Sequence, residues 1–236
     1  NHTWTAADRI QRRMAKMILR CGDKTTSDAA LGELGWWRLS ARRTMLRLRF
    51  WARLVRMDST RIVKKVYLRS REAYQNSTGA VPNWCSYTHA LTRKLGLAGY
   101  WQTQALGTKD SWHKQVTDAI QVFEEREWRL RVASYPKLRL YRSLKTALKE
   151  EEYLSIKGCE DGRMHMTRLR SGTNCLRIET GRHDKLERSK RVCLVCNGGQ
   201  VEDEAHFMLE CPAYTHERAD MLSALATGGL VVQIVR

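Results

Sequence analysis

Four residues near the C-terminus constrain this chain more than any other feature. Cys193 and Cys196 stand with two residues between them, His206 follows after nine more, and Cys211 after a further four. A Cys-x2-Cys turn points two thiolates at one ion, because the backbone folds over the metal and its amides hydrogen-bond the sulfurs. A later His/Cys pair then closes a tetrahedron. Gly198-Gly199 supplies the turn that such a knuckle needs. Residues 202–210 read as a short helix presenting His206, stopped by Pro212. Four protein ligands leave no open coordination position, so the expected ion is one structural Zn2+ per chain and not a catalytic one. The alternative is a chance grouping of Cys and His in a core. His216 is a rival to His206, but it lies beyond Pro212. Seven cysteines is an odd number, and Cys21, Cys85, Cys159 and Cys175 are scattered. That usage fits a reducing, intracellular compartment better than a disulfide framework.

The second constraint is charge. Against 25 Asp+Glu the 236 residues carry 42 Lys+Arg, a net +17, and residues 1–71 hold 18 of the basic and only 5 of the acidic ones. A chain this basic meets phosphate most often, on nucleic acid or at a membrane surface, although basic protein-binding surfaces exist as well. No run of about 18 apolar residues offers a transmembrane helix, and 42% apolar composition excludes full disorder. The expected partner is therefore RNA and/or DNA, with no membrane and no small-molecule substrate.

With three prolines and no sustained strand-like alternation, the chain reads as mostly α: an irregular helical bundle with a small C-terminal CCHC zinc-knuckle module. Thr5 caps a first helix, in which Ile10, Met14, Met17, Ile18 and Cys21 recur at helical spacing until Gly22, opposite Arg9, Arg12, Arg13, Lys16 and Arg20. Thr26 or Ser27 opens a short turn ending at Gly35. Ser40 reads as the N-cap of a helix over 41–57. Its apolar surface comprises Leu46, Leu48, Phe50, Trp51, Leu54 and Val55, and Arg42, Arg43, Arg47, Arg49, Arg53 and Arg56 occupy the rest. Residues 59–73 repeat the theme, with Ile62, Val63, Val66 and Tyr67 expected inward. The stretch 74–83 is aperiodic and carries Asn, Ser, Thr, Gly and Pro, so it reads as a linker. The organisation expected is a basic Arg-rich helical segment at 1–73, the linker, and a helical segment at 84–160 with helices near 84–95, 111–133 and 138–153. A basic lead-in with the zinc-binding module completes it at 161–236.

The lead-in holds nine basic residues, Arg163, Arg168, Arg170, Arg177, Arg182, Lys185, Arg188, Lys190 and Arg191, against three acidic ones between 163 and 191. Together with the six arginines of 41–57 these are the candidate phosphate contacts; the plain alternative for each is a solvated helix face. Trp84, Trp101, Trp112 and Tyr141 are candidates for stacking on unpaired bases, or else for packing between helices.

The run Arg191-Val-Cys193-Leu-Val-Cys196 through Val201-Glu-Asp-Glu-Ala-His206-Phe-Met-Leu-Glu-Cys211-Pro-Ala-Tyr214, after Leu169-Arg-Ser-Gly172 and Ile178-Glu-Thr-Gly181-Arg182, resembles the C-terminal, post-reverse-transcriptase region of LINE-type (non-LTR) retrotransposon polyproteins. Arg9-Ile-Gln-Arg-Arg13, Glu33-Leu-Gly-Trp36, Leu46-Arg-Leu-Arg-Phe50-Trp51, Leu138-Arg-Leu-Tyr141 with Lys145, and Glu152-Tyr153-Leu154 are similar to the same family, so the likeness spans nearly the whole chain. The resemblance implies a CCHC knuckle and binding of template RNA or target DNA during target-primed reverse transcription. It also implies a nuclear and/or cytoplasmic ribonucleoprotein, and a parent polyprotein whose RNA-directed DNA polymerase and endonuclease lie elsewhere. This chain contains no Asp-Asp pair, and no catalytic residue is readable in it. The alternative is a module that docks against the reverse transcriptase domain of the same polyprotein.

Overall fold

The computed structural model of the chain describes residues 5–76 and 82–227. Helices follow in the order α1 (Thr5–Ile18), α2 (Ser27–Glu33), α3 (Leu39–Arg56), α4 (Ile62–Asn76), α5 (Trp84–Lys94), α6 (Ala98–Thr103), α7 (Lys109–Ala133), α8 (Arg139–Leu144), α9 (Glu160–Arg170), α10 (Arg177–His183) and α11 (Thr215–Thr227). Among the described residues no strand forms; two isolated antiparallel bridges, Leu34 to Glu150 and Val192 to Val201, are the nearest approach to one.

Tryptophan builds the main core. Trp51 of α3 stacks on Trp101 of α6 at 5.5 Å between centroids and meets Trp112 of α7 edge-on at 5.4 Å. Each buried indole N–H needs an acceptor. Trp51 Nε1 donates to Tyr67 Oη at 3.0 Å, Tyr67 Oη to Gln104 Oε1 at 2.6 Å, and Trp112 Nε1 to the Leu48 carbonyl at 3.2 Å. Trp101, Trp112 and Tyr141, expected as stacking candidates, are thus buried in cores, as the packing alternative held. Cys85 from α5 and Tyr67 from α4 share this cluster, with Tyr74 and Trp84 packed against it. The 74–83 stretch therefore joins two helices of one core and does not separate two units; its residues 77–81 lie outside the described ones.

Helical spacing locates the helices but misassigns two inward faces. In α4 Tyr67 is buried while Ile62, Val63 and Val66 are exposed. In α1 Ala15 and, just past its end, Leu19 pack with Cys21 against α2, and Ile10, Met14, Met17 and Ile18 face solvent. The rotation of α1 is set by Gln11, whose Nε2 donates to the Trp37 carbonyl at 2.8 Å and whose Oε1 accepts from Leu39 N at 3.3 Å. That second bond also satisfies an amide at the start of α3, so Ser40 is not the cap: α3 begins at Leu39 with Arg38 at the N-cap position.

The expected helix at 138–153 is also corrected, since only Arg139–Leu144 is α-helical there and Glu152–Ser155 forms a separate 3-10 turn. Residues 149–151 instead lie against the end of α2, where Glu151 N donates to the Glu33 carbonyl at 2.9 Å. A polar network holds this arrangement. Glu33, fully buried, receives Nε and Nη2 of Arg170 at 3.1–3.2 Å together with the Tyr153 hydroxyl. Arg170 Nη2 also pairs with Glu151 at 2.9 Å, and Glu151 with the buried Lys145 at 2.5 Å. Burial opposes the Arg170 charge, but Glu33 and Glu151 outweigh it and push its pKa up; Tyr153, desolvated and facing Glu33, is pushed up as well. The network ties α2 to α9, so the two ends of the chain share one interior.

The contact needs glycine at one point. Gly35 has φ +63°, and a Cβ there would collide with the backbone of Lys149 and Glu150. Gly35→Ala is expected to cost ~2 kcal/mol or more through the left-handed backbone and the lost close approach, lowering the melting temperature by about 5 °C. Thermal unfolding followed by circular dichroism checks this, and an unchanged midpoint contradicts the packing described.

Candidate functional site

Cys193, Cys196, His206 and Cys211 converge: one ligand atom from each lies within 4.8 Å of all the others, close enough to bind a metal ion. Local backbone chemistry explains the convergence. The Val192–Val201 bridge closes a turn in which Cys193 N donates to the Gln200 carbonyl at 2.8 Å. Asn197 and Gly199 take left-handed φ of 52° and 70°, which the reversal requires. Gly198 N donates to Cys196 Sγ at 3.4 Å, and this amide, more than any other group, pulls the Cys196 thiol down to about 7, favouring the thiolate that binds metal. His206 sits in a helical turn opened by Asp203, whose Oδ1 accepts from His206 N at 3.1 Å. The turn closes with a wide π-type bond from Cys211 N to the His206 carbonyl at 2.7 Å, placing His206 and Cys211 on one side.

One ligand separation matches that of a tetrahedral ion, and all four ligand atoms lie within 4.8 Å of one another. Bonds of about 2.0–2.3 Å separate ligand atoms by about 3.3–3.8 Å, and Cys196 Sγ lies 3.5 Å from His206 Nε2. Cys193, His206 and Cys211 are buried, and Cys196 is half-buried. His206 Nδ1 is buried without a hydrogen-bond partner, 3.8 Å from Glu210 Oε2, which leaves Nε2 as the nitrogen facing the thiols. His216, the rival, is exposed and pairs with Asp220 at 3.0 Å outside the cluster.

Two buried carboxylates that sequence reasoning missed seat the cluster on the helices. Glu202 takes the Arg177 amide at 2.7 Å and the Cys193 thiol at 3.6 Å, and its carbonyl takes Ile178 N at 3.0 Å, so α10 starts on the metal loop. Glu204 pairs with Arg139 of α8. The sequence signal for both was their position between cysteine ligands, in a short helix otherwise expected to be solvated.

The candidate phosphate contacts divide into two groups. In the lead-in, Arg170 is buried on Glu33 and Glu151 and faces no solvent phosphate, a correction to its expected role. Arg163 pairs with Glu160, Arg177 with Asp184, Arg182 with Glu179, Arg188 with Asp203 and Lys190 with Glu187. Arg191 donates to the Leu186 and Ile178 carbonyls at 2.8–3.0 Å, and Arg168 to the Arg20 carbonyl at 3.3 Å. Lys185 is exposed. Most of this cluster's charge is therefore paired within the chain, Arg170 in the interior and the others at the surface.

The arginines of α3 differ. The helix has no acidic residue in its 18 positions. Arg56 is committed to the carbonyls of Leu106, Gly107 and Thr108 at 3.0–3.3 Å. Arg42 and Arg53 are exposed, and Arg43, Arg47 and Arg49 are half-buried. Burial, and next the neighbouring Arg43, push Arg47 down, with Tyr87 opposing. Arg43 and Arg47 thus lie near enough for their charges to repel.

The chain matches no protein-family model, and neither a curated protein nor a solved structure matches it. Among the described residues no helix is long and apolar enough to cross a membrane.

Proposed function

We propose that this chain is a non-catalytic nucleic-acid-binding region, held at its C-terminal end by one structural Zn2+, of the kind that follows the polymerase in non-LTR retrotransposon polyproteins. There it assists target-primed reverse transcription within a nuclear or cytoplasmic ribonucleoprotein. The observation that carries the binding reading is the face of α3: six arginines, no carboxylate on the helix, and no ion pair to Arg42, Arg47, Arg49 or Arg53 among the described residues. Clustered cationic charge is costly in self-repulsion, and a polyanion that binds it releases its condensed counterions into solution. The zinc reading rests on the donor set, since three thiols and one imidazole within a tetrahedron's reach match the soft N/S preference of Zn2+.

Four or five phosphate contacts from α3 give log affinity against log salt a slope of about −3 on single strands, from ~0.7 per contact. The Arg42→Gln/Arg53→Gln double variant is expected to flatten that slope by roughly 1.4 with the melting temperature unchanged, read by fluorescence anisotropy over a salt series. A flat wild-type response would remove the proposal. A second reading, docking against the reverse transcriptase domain, draws on the exposed α1 stripe of Ile10, Met14, Met17 and Ile18 beside Arg9, Arg13 and Lys16. Competition between RNA and that domain separates the two, because docking on α1 leaves α3 open to RNA.

A further inference from the structure

Two large apolar side chains interrupt the arginine face of α3. Leu46 is 59% and Phe50 45% exposed. Helical geometry puts Leu46 about half a turn from the buried Leu48, Trp51 and Ala52, and Phe50 one turn before the buried Leu54, at the border of the core. Arg43 and Arg47 continue the same strip at intervals of three and four residues, so cationic and apolar groups alternate along it. The neighbouring border of the surface comes from α5. Its first residue, Trp84, packs against the tryptophan core and meets Phe50 edge to face, with centroids 5.9 Å apart and planes at 87°. Phe50 is thereby braced while nearly half of it stays exposed. Tyr87, one turn further along α5, is 39% exposed and lies near Arg47.

We infer that Arg43, Leu46, Arg47 and Phe50 of α3, with Trp84 and Tyr87 of α5, form a stacking platform for single-stranded nucleic acid. The inference rests on the nucleic-acid reading above and names its substrate class. The pairing of chemistries selects this occupant. Guanidiniums attract any polyanion, but braced aromatic faces gain only from a partner that offers flat π-surfaces, and unpaired bases offer one per nucleotide. A duplex keeps its base faces inside the stack, and an acidic polypeptide brings carboxylates without rings. Exposed Phe and Leu among arginines would otherwise be a solubility liability with no return.

The test uses the full chain, a labelled oligo-dT of about twelve nucleotides, long enough for one platform, the matching duplex, and poly-glutamate as competitor. Wild type is expected to bind the single strand more tightly than the duplex and to resist poly-glutamate. Phe50→Ala/Tyr87→Ala is expected to weaken single-strand binding about tenfold or more while duplex affinity and the salt slope hold, because stacking adds no counterion release. Phe50→Trp keeps a ring face and is expected to retain affinity, which separates stacking from a folding defect. Equal losses on single strand and duplex, an indifferent double variant, or poly-glutamate competing as well as the oligonucleotide would each overturn the platform and leave the nucleic-acid reading standing. Absence of binding to either nucleic acid would overturn both.

Discussion

Stripping the metal is expected to unfold the C-terminal end of this protein while its tryptophan core survives. Cys193, Cys196, His206 and Cys211 bring three thiols and an imidazole within 4.8 Å, and besides the polar ties of Glu202 and Glu204 the segment they belong to has little apolar packing. Phe207 meets Tyr214 at 5.0 Å, and Leu194, Val195 and Leu209 are exposed. Structural Zn2+ in small modules contributes about 10–16 kcal/mol in apparent terms, far more than such a segment gains from packing. Cys193→Ser, His206→Ala or chelator is therefore expected to abolish metal binding and open residues 184–227 to protease. The Trp51–Trp101–Trp112 cluster should melt later, in a separate transition. Metal analysis, limited proteolysis and differential scanning calorimetry read the three effects, and Cys159→Ser, an exposed cysteine outside the cluster, is the control. A His206→Ala chain with one metal per chain and an unaltered melting profile would sink the metal-site claim. Because Glu202 and the Cys193 loop satisfy the first amides of α10, the damage should reach α10 but stop short of α7.

How much of this was legible in advance depends on the range of the interaction. The Cys/His cluster was readable because its spacing falls within a stretch of nineteen residues, from Cys193 to Cys211. Helix positions were readable for the same reason: α5 and α7 fall within two residues of where caps and periodicity put them. Facing was not, because which side of α1 turns inward is settled by Gln11 bonding Trp37 and Leu39, more than twenty-five residues away. Nor could spacing tell that 145–151 abandons the helix to lie beside Glu33, a choice made by a buried ion network drawn from three parts of the chain. Charge counting has the same limit. The lead-in between 163 and 191 and α3 look equally basic in sequence. In the first, Arg163, Arg177 and Arg182 pair with carboxylates three to seven residues away and Arg170 with Glu33 and Glu151 across the fold, whereas α3 carries no carboxylate of its own.

Arg170 is where these two kinds of basic residue are told apart by experiment. Its guanidinium holds Glu33 through Nε and Nη2 and Glu151 through Nη2, and it lies 5.6 Å from the Tyr153 ring centroid. Arg170→Ala leaves Glu33, 0% exposed, buried beside Glu151 without the guanidinium that bridges them. Removing one partner of a buried pair costs about 3–5 kcal/mol, so the melting temperature is expected to fall by about 10 °C. Arg170→Lys is expected to recover only part of this, since one ammonium cannot reproduce a planar fork shared between two carboxylates. Glu33→Gln should be milder, because Arg170 keeps Glu151. Where the variant remains folded, at low temperature, its nucleic-acid salt slope is expected to match wild type, because the lost charge faced inward. The opposite pattern, a slope shallower by about 0.7 with melting unchanged, would put Arg170 on phosphate. It would also mean that the ends of the chain are not joined through Glu33.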